Sequence, residues 1–103
     1  MPGEQLFTTS TANGAIVMKL DAKKIDITVS DDLKANMRAT IGQCDQDVVV
    51  DMATVEFVDS SGIGALVSAR KQLRGDREMH LKNISPFVER LLRTTKLDRV
   101  FVI

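Results

Sequence analysis

The chain has 103 residues, 44% of them hydrophobic and 27% charged, with Lys+Arg and Asp+Glu balanced at 14 each. That composition fits one folded domain over residues 1–103, not a disordered chain. Zero formal net charge disfavours a nucleic-acid binder and a polybasic membrane anchor. The single cysteine, Cys44, cannot form an internal disulfide, and Met1–Gln5 shows no basic n-region or long apolar run. Both features point to a cytoplasmic protein with no signal peptide and no membrane span.

Turn signals cut the chain into short segments. Gln5 to Thr9 reads as an edge strand, Asn13-Gly14 as a hairpin turn and Ala15–Leu20 as the returning strand. Ser30-Asp31-Asp32 reads as a helix start, followed by Leu33, Met37, Ile41 and Cys44 at helical spacing on one face. Gly42 should stop that helix and leave Cys44 in the exit turn. Val48-Val49-Val50 is a β-branched run of the kind buried on both faces of a sheet, and Val55–Val58 is a second short apolar stretch. Ile63, Leu66, Val67 and Leu73 recur at helical spacing, with Arg70, Lys71 and Arg74 late in that helix and Gly75 as its stop. Met79–Asn83 alternates as a strand. Ser85-Pro86 pairs an N-cap with proline at the first helical position, ahead of Val88, Leu91 and Leu92. Val100–Ile103 reads as a final strand. The order ββαβαβαβ predicts an α/β fold, a single mixed and mostly parallel sheet with crossover helices. Phe7, Phe57, Phe87 and Phe101 lie in apolar segments and are expected in the core.

Most catalytic arrangements fail on residue type. Gly62-Ile63-Gly64 opens like a dinucleotide loop, but Val67 stands where the third glycine belongs, and no phosphate-binding GxxxxGK[ST] loop occurs. Val58–Gly62 lacks the first glycine of a serine-hydrolase elbow. His80, the sole histidine, lies between Met79 and Leu81, where alternation turns it to the opposite face. One Cys and one His make no metal-ligand cluster, so no metal and no cofactor are expected. Val48–Met52 is similar to the phosphoacceptor strand of two-component receivers, with Asp51 as the candidate acceptor. However, the acidic pair Asp31-Asp32 falls some ten residues after the apolar strand that should carry it, and no lysine follows the last strand. Asp51 then reads as a strand-end polar residue.

Asp59-Ser60-Ser61-Gly62-Ile63-Gly64 is the most specific segment. It joins an apolar strand to an amphipathic helix. Ser60, Ser61 and Asp59 all suit helix capping. Two glycines in a first helical turn cost about 1 kcal/mol each relative to alanine, so something gains from close approach to that backbone. Free N–H groups and the positive dipole end would accommodate a phosphate.

Val55-Glu56-Phe57-Val58-Asp59-Ser60-Ser61-Gly62-Ile63-Gly64 resembles, without a gap, the signature of the STAS domain of anti-sigma factor antagonists. Lys23-Lys24-Ile25-Asp26 occupies the place of that family's G-x-L-D element with the glycine missing, and Thr28-Val29, Ile84–Val88 and Thr95–Phe101 fit its other segments. The resemblance implies phosphorylation on Ser60, the serine directly after the aspartate, and partner contacts from Asp26, Thr28, Asp59, Ser61, Gly62, Ile63 and Gly64. It implies an anti-sigma factor that is also a serine kinase as the partner, bound by the unphosphorylated form, and a PP2C-type phosphatase that resets Ser60. ATP and magnesium would belong to the kinase, leaving this chain no enzyme, with no catalytic residue. A monomer or weak dimer is expected. Many relatives add a C-terminal helix where this chain stops, which would leave an apolar patch open. The same domain also serves as a scaffold or as an accessory subunit of signalling assemblies or transporters, and as a partner switch on non-sigma targets.

Overall fold

The computed structural model describes residues 6–103. Strand β1 (Phe7–Ala12) turns back into β2 (Ala15–Leu20) through Asn13 and Gly14. Both turn residues have positive φ, 54° and 81°, as a two-residue hairpin with the right twist requires. β1 therefore starts and ends later than its sequence suggested. Gln5 and the rest of the N-terminal reading lie outside the described residues.

β2 pairs in parallel with β4 (Val48–Asp51), and β4 in parallel with β6 (Met79–Lys82), so the main sheet runs β1-β2-β4-β6. The parallel joins are closed by helices α1 (Ile27–Gly42) and α2 (Ser60–Arg70), which pack against each other. Pleating buries Met18, Leu20, Val48, Val50, Met79 and Leu81 against Leu33, Met37, Ile41, Leu66, Val88 and Leu92 of the helices. The three valines of β4 are not all buried: Val49 is half-buried on the outer face. A β-branched run here marks a one-sided strand. His80 sits opposite Met79 and Leu81, as alternation requires.

Other features depart from the sequence reading. α1 starts at Ile27 with Asp26 as its N-cap, a turn earlier than Ser30. Ser30 is instead buried within the helix, 5% exposed. Two short strands, β3 (Lys24–Ile25) and β5 (Phe57–Val58), form a separate parallel pair. At the C-terminal end, α3 (Pro86–Thr94) is followed by Lys96, which has φ 62°. A 3-10 turn, Leu97–Arg99, follows, and the expected strand shrinks to one parallel bridge between Val102 and His80. α3 itself begins as read, with the Ser85 hydroxyl accepting from Val88 N and proline in the first turn. α2 ends at Arg70, before Lys71 and Arg74; Gly75 follows with φ 67°. Cys44 lies just past α1, half-buried, its Sγ 3.5 Å from Ile41 O.

Candidate functional site

The two-residue ladder of β3 and β5 sets Lys24 beside Phe57 and Ile25 beside Val58. Each strand then runs straight into a helix. Asp26 and Asp59, the next residues, are thereby held side by side as the N-caps of α1 and α2. Asp59 N donates to Ile25 O at 3.2 Å, tying the two starts together.

The caps are built alike. Asp26 Oδ1 accepts from Thr28 N at 3.0 Å and from the Thr28 hydroxyl. Asp59 Oδ1 accepts from Gly62 N at 3.0 Å. Each takes up one of the N–H groups that a helix start leaves without an intrahelical partner. The hydroxyl and then the N–H of Thr28, with nearby Lys24 adding a smaller effect, hold the Asp26 carboxyl below the usual carboxylate range.

Ser60 is the first residue of α2 and is exposed; Asp59, not Ser60, is the cap. The α2 cap therefore does not use the Ser60 hydroxyl. Ser61 is half-buried. Gly62 has a packing reason: a Cβ there would strike the backbone carbonyl of Ile25 and come within 2.7 Å of Val58 Cγ1 and 2.8 Å of Ile25 Cγ2. Gly64 has none, since a Cβ would meet nothing within 4 Å. Ile63 is half-buried against the core. Of the expected contact residues, Gly62 is thus buried against the β3–β5 ladder, whereas Thr28 and Gly64 are exposed.

An open groove of about 280 Å³ runs between the helices, lined by Ile27, Asp31 and Lys34 on one side and Ser61, Gly64 and Ser68 on the other. Ile27, 73% exposed, was missed by the sequence reading. With the helix start read at Ser30, nothing in the sequence set Ile27 on the first turn of a helix. Phe57 and Phe87 were expected in the core but are 39% and 49% exposed, stacked with ring centroids 5.4 Å apart. A two-residue strand has one buried side chain, Val58, and Phe57 takes the outer side. Phe101 is buried and Phe7 half-buried.

Asp51 is occupied structurally: Oδ1 accepts from Ala53 N and Asn83 Nδ2, each at 3.0 Å. Among the described residues no helix is long and apolar enough to cross a membrane.

A model of the STAS domain family matches residues 7–103. The chain superposes on an anti-sigma-factor antagonist (STAS) domain protein from Planctomyces limnophilus with a TM-score of 0.84 at 22% identity, covering 92% of this chain and 86% of that one. An anti-sigma factor antagonist from Mycobacterium paratuberculosis gives 0.82 at 22% identity, over 93% and 81%. The Bacillus cell fate determinant SpoIIAA, in its phosphorylated form, gives 0.64 at 19% identity, over 93% and 88%. At these identities the likeness establishes a common fold.

Proposed function

Because the chain belongs to the STAS domain family, we propose that it is an anti-sigma factor antagonist whose binding to a serine-kinase anti-sigma factor is controlled by phosphorylation of Ser60. The observation that carries this reading is the exposure of Ser60 at the first position of α2, with its capping role taken by Asp59. The serine can be modified without dismantling the helix start.

The electrostatics supply the switch. A phosphoserine adds about −1.5 to −2 charges. The N-terminus of α2 tolerates such an anion, so the fold survives. The docking edge is changed more. It already carries the Asp59 and Asp26 carboxylates, and it includes exposed Ile27 and the bare Gly64 backbone. A partner closing on that edge would have to desolvate a dianion beside two carboxylates, which favours release. Asp26, Thr28, Asp59, Ser61 and Gly64 form the contact surface in this reading, and Gly62 and Ile63 shape it from within. The chain supplies the substrate hydroxyl only; the nucleotide, its magnesium and the catalytic groups belong to the kinase, and a PP2C-type phosphatase restores the serine. Residues 1–103 work as one cytoplasmic domain, monomeric or weakly dimeric.

The test is to incubate the chain with its kinase and ATP and to locate phosphate by tryptic mass spectrometry. One phosphate on Ser60 is expected; none within residues 55–70 sinks the reading. In pull-downs, Ser60→Ala should retain the kinase and Ser60→Asp should lose it. Equal retention by both would count against the switch.

A further inference from the structure

Asp47, Glu78 and His80 form a second group of side chains, at the ends of β4 and β6 where the strands begin. Alternation puts all three on the outer face of the sheet, in line with half-buried Val49. Val48 lies beside Met79 in the parallel register, so Asp47 stands beside Glu78. Two backbone-anchored bonds fix the pair: Val48 N donates to Glu78 O at 3.0 Å, and Glu78 N donates to Asp47 Oδ1 at 2.9 Å. His80 Nε2 lies 3.1 Å from Glu78 Oε1. One ligand atom from each of the three falls within 4.8 Å of the others.

Like charges side by side on neighbouring strands are destabilising. Among the described residues no lysine or arginine lies within 4.0 Å of either carboxylate. On the β2 side, the neighbour that bonds Asp47 O is Ile16, through its N–H at 2.9 Å. Arg77, next to Glu78 in sequence, spends its guanidinium elsewhere: its Nε donates to Gln46 O at 2.8 Å and its Nη2 to Cys44 Sγ at 3.5 Å. Two carboxylates and an imidazole on a rigid frame are left facing solvent together.

We propose that Asp47, Glu78 and His80 bind one divalent cation of the zinc class, with water completing its shell. Zinc bonds of about 2.0–2.1 Å in a tetrahedral site set neighbouring ligand atoms about 3.3 Å apart, and the His80–Glu78 pair is already close to that spacing. Asp47 keeps Oδ1 on Glu78 N and offers Oδ2. The imidazole selects against magnesium and calcium, which take oxygen ligands. The bound ion would tie β4 to β6 where both strands begin, at the opposite end of β4 from the connection leading to Ser60. Because the unfolded chain lacks this arrangement, the ion stabilises the fold.

Calorimetry and thermal unfolding of the metal-free full chain with zinc chloride test it. One equivalent should bind with a Kd tighter than about 50 μM and, at a hundredfold excess over Kd, raise Tm by at least about 10 °C. Cys44→Ser should bind unchanged, and magnesium chloride should give no shift. His80→Gln, or Glu78→Gln if the first variant does not fold, should bind at least about tenfold more weakly. Weaker binding by the parent chain, a smaller loss in the ligand variant, or a loss in Cys44→Ser overturns the site.

Discussion

α1 and α2 begin from the same two-residue ladder and carry the same cap, yet their first turns are opposite in character. α1 opens with an exposed isoleucine; α2 opens with a serine pair and two glycines. Within α2 the contrast sharpens further. Gly62 is pressed against the Ile25 carbonyl, while Gly64, two residues on, faces open space. The same residue type serves helix packing at one position and leaves bare backbone at the other. A glycine in a motif therefore does not say which role it plays until its surroundings are known.

The largest effect should come from Gly62→Ala. Its Cβ meets the Ile25 carbonyl as well as Val58, so the start of α2 must lift off the β3–β5 ladder. A loss of about 3 kcal/mol, roughly 12–20 °C in Tm, is expected by thermal unfolding; a fall of only a degree or two would show that α2 shifts freely on the ladder. Asp59→Ala comes next. It leaves Gly62 N without its acceptor, a loss of about 1 kcal/mol in a urea titration. Gly64→Ala has the opposite sign, gaining about 0.5–1 kcal/mol from helix propensity, while weakening capture of the kinase if the bare backbone is a contact. Gain in stability with unchanged capture would remove Gly64 from the docking surface.

The smallest effect concerns Asp26. Its folded-state pKa is lowered by Thr28, so its contribution is present above the unfolded-state value and fades as pH falls through the folded one. In an NMR titration the Thr28 amide should shift with a midpoint below that of an ordinary aspartate. A midpoint at or above the ordinary value would mean that the cap opens in solution.

The sequence reveals most where a local rule acts alone. Asn13-Gly14 specifies its turn, Ser85-Pro86 its helix start, and the alternation around His80 its face. It misleads where two local signals compete. Ser30-Asp31-Asp32 has the form of a helix start, but Asp26 lies a turn upstream and is placed by β3, a strand too short to show periodicity. Phe57 and Phe87 look like core because they are large and apolar; only the shortness of β5 puts Phe57 outside. The C-terminal residues have strand composition, but the reversal at Lys96 and the following 3-10 turn leave only Val102 in register. For the site, the Asp59–Gly64 motif was visible, whereas Ile27 and the division of labour between the glycines needed the packing.

The β3–β5 ladder has a consequence for recognition kinetics. Both helix starts hang from four residues bonded across one short ladder, so neither cap can be displaced without disturbing the other. A partner would therefore meet a surface already in its bound shape, with little backbone left to freeze on contact. Association should then be governed by how often the two faces collide correctly. A single charged group placed on that face would act through the rate of escape, without remodelling what it sits on.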